Sequence, residues 1–519
     1  MNRCVLALGS NLGERAASIH AALDLLRTTV GARVERTSLL YDTAPQYVTE
    51  QPRFLNAACE ISTTLAPHEL LRAVKGVEQR LGRQLGVEAA RFGPRPIDID
   101  LLLYYPAAAD AGRPLALQSE TLTLPHERLT ERAFVLRPLA DLDPARLLPH
   151  GDGSVSSVAQ LLAVLRSTEQ GATDLAELQQ VTPLPGRRPG ETEACFAWGA
   201  RTYLMGIVNM TPDSFSDGGS FGMGAAGAEA AVEHGLALAR SGADVLDIGG
   251  HSTKPGFEPV SEQEEVERVA AVVSRLRAAS DAGLAEVDPG SPLRGAGGGG
   301  VGMGGRLAIS VDTFRPAVAL AAINEGADII NDVSGGLHSG GEMYRVAAEL
   351  GAPIVLMDHG TDPVALHAPH NTTGSGGGSS GEGSIVDLVG QSLARMVDQA
   401  QASGMARWQL MIDPGLGFAK PVTGENLELI RRLPDVKAVA GGHSGLPLLL
   451  GASRKRFTGE ATWHSRVSKS TPAPFDGRDF ATAGFCAAAV AGGGVDMVRV
   501  HNVECTGDAV RAADMLNSG

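Results

Sequence analysis

From Thr202 to the C-terminus, short apolar runs alternate with stretches of helical length, and each run stops at a polar residue. Leu204-Met-Gly-Ile-Val ends at Asn209, before a loop of Thr, Asp, Ser and Gly. Val245-Leu-Asp-Ile-Gly-Gly opens onto Thr253, Ala308-Ile-Ser-Val ends at Asp312, and Ile329-Ile330 ends at Asn331. Ile354-Val-Leu-Met runs into Asp358-His359, Leu410-Met-Ile into Asp413, Leu448-Leu-Leu-Gly into Ser453-Arg454-Lys455, and Met497-Val-Arg-Val into His501. Short, nearly continuous apolar runs of this kind predict buried parallel strands. Between them, Ala225–Ser241, Ser261–Asp281, Pro316–Gly326 and Ile385–Gly404 have the length and pattern of helices. Eight strand-then-helix repeats with polar groups at each strand's C-terminal end predict a TIM (β/α)8 barrel whose chemistry lies on that face.

The N-terminal part has a different rhythm: strand Val5–Leu8, helix Glu14–Thr29, strand Val34–Thr43, strand Ala57–Thr63, helix Pro67–Leu81, strand Ile97–Tyr105. This βαββαβ order predicts a ferredoxin-like α+β sandwich within an overall α/β chain. Residues 166–197 lose both periodicities and gain Pro, Gly and charge, so they read as a linker. The predicted organisation is residues 1–165, linker 166–197 and barrel 198–519. Two Gly-rich inserts interrupt the barrel. Ser291–Gly305 precedes a strand, on the side away from the chemistry. Its Gly300-x-Gly302-x-x-Gly305 lacks the strand-to-helix context that a dinucleotide fingerprint requires. Asn371–Ser384 follows the fifth strand on the catalytic rim, with a composition that predicts a flexible flap or disorder.

With 519 residues, 43% hydrophobic and 20% charged, the chain can bury at least two cores. A net charge of -15 argues against general nucleic-acid or membrane-surface binding, so anionic substrates would need local basic clusters. Cys4, Cys59, Cys195, Cys486 and Cys505 are scattered, without a CxxC pair, which implies neither a zinc site nor a disulfide framework. No apolar run approaches the roughly 20 residues a spanning helix needs. A soluble intracellular protein is expected, cytoplasmic, or in the mitochondrial matrix if a leader is missing.

Asp98 and Asp100 stand two apart on a predicted strand, so both carboxylates share one face while Ile97, Ile99 and Leu101 take the other. Neighbouring carboxylates repel unless a cation joins them. Magnesium suits such oxygen donors and would bridge a nucleotide triphosphate. An exposed edge strand with solvated Asp residues would give the same spacing. Arg83, Arg91, Arg95, His126 and Arg132 form a local positive set suited to phosphate oxygens, and no GxxxxGK[ST] loop is present.

Gly9-Ser-Asn11, Tyr41-Asp-Thr-Ala-Pro45, Gln51-Pro-Arg-Phe-Leu-Asn56, Glu78, Arg83, Arg91-Phe-Gly-Pro-Arg95, Asp98-Ile-Asp100, Leu124-Pro-His126 and Arg132-x-Phe134 together resemble 6-hydroxymethyl-7,8-dihydropterin pyrophosphokinase over residues 3–150. The resemblance implies that Asp98 and Asp100 hold two magnesium ions. It also implies that Asn56 and Thr43 meet the pterin, that Phe54 and Phe134 stack on it, and that Arg83, Arg91, Arg95, His126 and Arg132 grip ATP.

In the barrel, Asn209, Asp312, Asn331, Asp413 and Lys455 can match the donors and acceptors along the edge of a flat heterocycle, although any one of them could simply cap the following helix. Arg454, Arg499 and His501 suggest an anion site from the last two strands. Met205-Gly-Ile-Val-Asn-Met-Thr-Pro-Asp-Ser-Phe-Ser-Asp-Gly-Gly219, Gly249-Gly-His-Ser-Thr-Lys-Pro-Gly256, Ser310-Val-Asp-Thr313, Ile330-Asn-Asp332, Met411-Ile-Asp-Pro-Gly-Leu-Gly-Phe418, Gly451-Ala-Ser-Arg-Lys455 and Arg499-Val-His501 resemble dihydropteroate synthase. That resemblance implies a pterin seat of Asp312, Asn331, Asp413, Phe418 and Lys455, with magnesium at Asn209. Thr253, Lys254, Ser453, Arg499 and His501 would serve the diphosphate and p-aminobenzoate, beneath a closing loop, Asp213–Gly219. His251, Lys254, Asp358, Ala419 and Asn502 depart from the family pattern. Lys254 replaces an Arg fork by a point charge.

The joint expectation is a bifunctional transferase of folate biosynthesis. ATP and 6-hydroxymethyl-7,8-dihydropterin would give AMP and a pterin diphosphate, which condenses with p-aminobenzoate to 7,8-dihydropteroate. Its partners would be these small molecules, without nucleic acid or membrane, and the barrel resemblance implies a homodimer. The alternatives are an active kinase with a weakened or scaffolding barrel, and a pterin-binding barrel that carries a methyl-group donor.

Overall fold

In the computed structural model the described residues are 1–84, 93–107, 113–149, 154–185, 193–210, 225–250, 260–283, 306–360, 384–420, 422–441, 445–462 and 476–517. The chain divides into two compact units, Met1–Ala197, with which Ala406–Gln409 groups, and most of Trp198–Gly519.

The first unit is built on an antiparallel sheet in the order Cys195–Ala197, Gln179–Pro183, Leu40–Thr43, Phe54–Thr63, Asn2–Ser10, Asp98–Tyr105, with Arg33–Thr37 also pairing Phe54–Thr63. Alternation along Asn2–Ser10 sends Cys4, Leu6 and Leu8 to one face, where Ile19, Leu23, Leu70 and Val74 of helices Arg15–Thr28 and Pro67–Arg80 cover them. Val5 turns to the other face, against Leu136, Leu139 and Leu161 of helices Ala133–Leu142 and Val158–Arg166. The βαββαβ expectation therefore holds, with a second helical layer added. The predicted strand 34–43 is broken at Ser38-Leu39. The Ser38 hydroxyl accepts from Ala58 N (2.8 Å), and Leu39 N donates to the buried Asp141 carboxylate (3.0 Å). Ser38 N still donates to Ala58 O (2.8 Å), while a carboxylate distant in sequence takes the Leu39 N–H out of the ladder.

Residues 166–197 depart from the linker expectation. Thr168 caps helix Glu169–Ala176, and Gln179–Pro183 adds to the sheet beside Leu40–Thr43, followed by Cys195–Ala197. An open strand edge offers unpaired N–H and C=O groups, and pairing them outweighs the Pro- and Gly-rich local composition.

The second unit is a ring of parallel strands: Tyr203–Asn209, Val245–Gly249, Ala308–Asp312, Ile329–Asp332, Ile354–Met357, Leu410–Asp413, Leu449–Leu450 and Met497–Val500. The 8-stranded sheet pairs them in chain order, the eighth strand lies between the first and the seventh, and a bridge from Ile412 to Leu448 completes the circle. Two of the intervening helices start where their sequences provide side-chain caps. The Ser261 hydroxyl accepts from Glu264 N ahead of Glu262, Glu264 and Glu265, which complement the positive helix end. Ser384 forms a capping box with Asp387. The insert Ser291–Gly305, and Asn371–Ser384 apart from Ser384, lie outside the described residues. Among the described residues no helix is long and apolar enough to cross a membrane.

Candidate active sites

In the first unit, Asp98 and Asp100 lie on the strand at the sheet's edge, but their carboxylates point to the face covered by helix Ala133–Leu142 and line a cleft. Register brings the rest of that cleft together. Gly9 pairs with both Asp98 and Asn56, and Thr43 pairs with Phe54. A Cβ on Gly9 would stand 2.9 Å from Asn56 Oδ1, so only glycine leaves the amide room. Asn56 Nδ2 donates to Thr43 Oγ1 at 2.7 Å, which fixes the orientation of the amide. Phe54, Phe134, Arg95 and Arg132 complete the lining, with the Arg95 guanidinium 5.6 Å from the Phe54 ring centre and that of Arg132 5.6 Å from Phe134.

Burial works against the charge on Asp98, but Arg95 and Arg83 outweigh it and hold its carboxyl below the ordinary value. Burial and then repulsion from Asp98 push Asp100 up. Burial lowers His126, against the pull of Asp100. The sequence reading gave no role to Glu78, which is fully buried. Its carboxylate accepts from Ile99 N (2.7 Å), Lys75 (2.8 Å) and Arg83 (2.7 Å), and so pins Arg83 beside Asp98. Tyr47 and Arg128 were also missed. Tyr47 adopts φ 70°, and its phenol accepts from Arg128 (3.3 Å) and lies near Arg132. Arg91 lies outside the described residues.

In the barrel, strand register sets Asn209, Gly249, Asp312 and Asn331 at one level across four neighbouring strands. Gly249 lies directly between Asn209 and Asp312, with a Cβ there 3.4 Å from Asn209 Oδ1 and 3.7 Å from Asp312 Cβ, ordinary contact distances. Below them sits Asp247, fully buried, another residue without a predicted role. Arg499 Nε donates to Asp247 Oδ2 (2.6 Å) and Nη2 to Asp312 Oδ2 (2.6 Å), while Asn331 Nδ2 donates to Asp247 Oδ2 (3.0 Å). An acidic residue inside an otherwise apolar strand was the available signal. Burial raises Asp312 to about 7, with Arg499 opposing and Asp247 adding. Arg499 loses to burial but gains more from Asp247 and Asp312, so it stays charged.

Across the ring, Asp413 accepts from Gly415 N (2.7 Å), and burial raises its carboxyl against the pull of Lys455. Lys455 Nζ donates to Leu416 O and lies 4.5 Å from the Phe418 ring centre; burial lowers it to about 7. Ser453 Oγ and His501 Nδ1 are 2.9 Å apart. Arg454, with φ 56°, forms a two-pronged pair with Asp479 (2.6 and 2.8 Å), which Asn502 also bonds (3.0 Å). The carboxylate matches its fork. Thr253, Lys254, His251 and the Asp213–Gly219 loop lie outside the described residues.

The family model of 7,8-dihydro-6-hydroxymethylpterin-pyrophosphokinase (HPPK) matches residues 5–144, and that of pterin binding enzyme matches residues 205–288 and 301–501. The mitochondrial folate synthesis bifunctional protein of Pisum sativum is 36% identical over 523 residues, covering 99% of this chain and 89% of that relative. The dihydropteroate synthase of Synechocystis is 37% identical over 337 residues, covering 64% of this chain and 95% of the relative. A crystal structure of Plasmodium falciparum HPPK-DHPS with pterin and p-hydroxybenzoate shares the fold, with a TM-score of 0.69 at 20% identity, covering 99% of this chain and 96% of that one. With kinase-type and synthase-type residues each gathered in a unit of its own, the chain belongs to the bifunctional folate-synthesis family, transferases that join a hydroxymethyldihydropterin pyrophosphokinase to a dihydropteroate synthase.

Proposed function

We propose that each unit acts at the site just described, the first on ATP and 6-hydroxymethyl-7,8-dihydropterin, the barrel on the resulting diphosphate and p-aminobenzoate. In the cleft, Asn56, held by Thr43, would read the pterin edge between Phe54 and Phe134, while Arg83, Arg95, Arg132 and His126 would hold phosphate oxygens. Asp100, pushed up by burial and by Asp98 beside it, together with the ionised Asp98 fits magnesium, with the remaining oxygen ligands coming from phosphates. When bound, the metal would supply charge neutralisation along the triphosphate. Arg91 belongs to this assignment by resemblance alone.

In the barrel, Asp312, Asn331, Asp413 and Lys455 would seat the ring, with Phe418 against it. His501, Ser453, Thr253 and Lys254 would meet the diphosphate and p-aminobenzoate. Asn209 offers one hard oxygen at the level of Asp312, a donor set suited to magnesium that the substrate's diphosphate already carries. Arg499, taken up by Asp247 and Asp312, would act on the leaving group chiefly through its field. The pterin diphosphate ionises at its exocyclic methylene, the ring bears the developing cation and the arylamine attacks, so this chain's part is to orient the ring, stabilise the departing charge and exclude water.

The observation that carries the reading is the register that sets Asn209, Asp312 and Asn331 at one level. A coupled assay tests it: ATP, hydroxymethyldihydropterin and p-aminobenzoate should yield dihydropteroate, and AMP release without pteroate would favour the scaffolding alternative. A homodimer through the barrel is proposed from the family resemblance and can be checked by light scattering. The mitochondrial designation of the pea relative supports a mitochondrial location, while an equally similar Arabidopsis thaliana relative carries no such designation.

A further inference from the structure

Lys420 follows the sixth barrel strand and Asp358 follows the fifth; both are 4% exposed. Lys420 Nζ donates to Asp358 Oδ2 (2.8 Å), Asp358 O (3.3 Å), Gly415 O (3.2 Å) and Phe418 O (3.1 Å), which exhausts the three donors of an ammonium. The two loops meet backbone to backbone. Asp358 N donates to Asp413 O (2.9 Å), and a Cβ on Gly415 would fall 1.8 Å from Asp358 O. Gly415 holds φ 64° and Ala419 φ 47°, so the loop between them is bent into a shape that its side-chain partners must maintain.

That loop carries three contacts that orient the ring seat. Gly415 N holds Asp413, Leu416 O receives Lys455, and the Phe418 ring lies against the Lys455 ammonium. All three belong to the segment Gly415–Phe418, whose first and last carbonyls Lys420 grips. We propose that the buried Asp358–Lys420 pair is a clamp by which the loop after the fifth strand positions Asp413 and Lys455 for the pterin ring. Lys420 and Asp358 are thus positioning residues for the condensation, and the inference rests on the reading that Asp413 and Lys455 seat the ring.

A buried ion pair can also be purely structural, since losing one partner strands the other charge whatever its role. The double variant Asp358→Asn/Lys420→Met separates the two, because it leaves no buried charge. The full chain is assayed with supplied pterin diphosphate, and hydrogen exchange at the neighbouring barrel strands Ile354–Met357 and Leu410–Asp413 serves as the control for a folded barrel. Lys420→Met and the double variant should each raise KM for pterin diphosphate about tenfold or more, as misplacement of about an ångström does. KM for p-aminobenzoate should stay within about twofold, because the loop contacts described here all serve the ring seat. Lys455 faces Asp413, Arg499 and Lys420, so loss of the Lys420 charge should also move the alkaline limb of kcat/KM to higher pH. A double variant with both wild-type stability and wild-type KM for pterin diphosphate overturns the clamp. Lys455→Met is the separate control. If it leaves that KM unchanged, the ring-seat reading fails; if it raises KM while the Lys420 variants do not, only the clamp fails.

Discussion

Arg499→Met tests whether one guanidinium lets two carboxylates coexist inside the barrel. Arg499 reaches Asp247 and Asp312 at 2.6 Å each, and Asp247 is fully buried. Methionine keeps much of the volume and removes the charge. Stranding buried charges in this way costs about 3–5 kcal/mol at neutral pH. Part of that cost falls on Asp312, whose carboxyl burial raises and Arg499 holds down, and this makes the loss depend on pH. A carboxyl whose folded value is raised above its unfolded one costs nothing below about pH 4 and progressively more as pH climbs towards the folded value, at about 1.4 kcal/mol per unit. Asp312 already behaves so in the parent chain, where burial raises it to about 7. Arg499 opposes that rise, so without it Asp312 should be pushed higher still. The deficit should therefore be larger at pH 7.5 than at pH 5.5. A chain of two units need not show a single unfolding midpoint, so the measurement is native-state hydrogen exchange at Leu246, Ile248, Ile309 and Val311 at both pH values. A deficit under about 1 kcal/mol at pH 7.5, or one equal at both values, would refute the reasoning.

Asp98→Ala should abolish AMP release yet leave condensation of supplied pterin diphosphate intact; equal loss of both would mean the division of labour is wrong. Burial holds Lys455 at about 7 in the ligand-free barrel, so a ring that requires the ammonium should bind about tenfold more weakly at pH 9 than at pH 8. Calorimetry reads this directly, and a flat profile contradicts it. Gly390 lies on helix Ile385–Ala402 where a Cβ would come 2.5 Å from Val439 Cβ. Gly390→Ala should therefore destabilise the barrel by about 1–3 kcal/mol, despite the roughly 1 kcal/mol gained in helix propensity, and a stabilised variant in denaturant would disprove it.

Much of this molecule was legible along the chain because its signals are local. Each barrel strand is an apolar run ended by one polar side chain, and period-two spacing alone puts Asp98 and Asp100 on one face. Asp358 could be noticed as a departure from the family pattern, but nothing nearby in sequence discloses its partner, since Lys420 stands 62 residues away. Glu78 reads as a charged residue on an amphipathic helix until Ile99 N, Lys75 and Arg83 are seen to converge on it.

The sequence by itself determined the two architectures and the polar strand ends, because period and composition are properties of neighbours along the chain, while the residues expected to meet a pterin or a phosphate came from the family resemblance. Only the tertiary structure decided that residues 166–197 extend a sheet, that Arg454 turns to Asp479, and that Asp247 joins Arg499 and Asn331. Each of those outcomes depends on which open edge or opposite charge lies within reach once distant segments have packed, and a one-dimensional pattern does not contain that proximity.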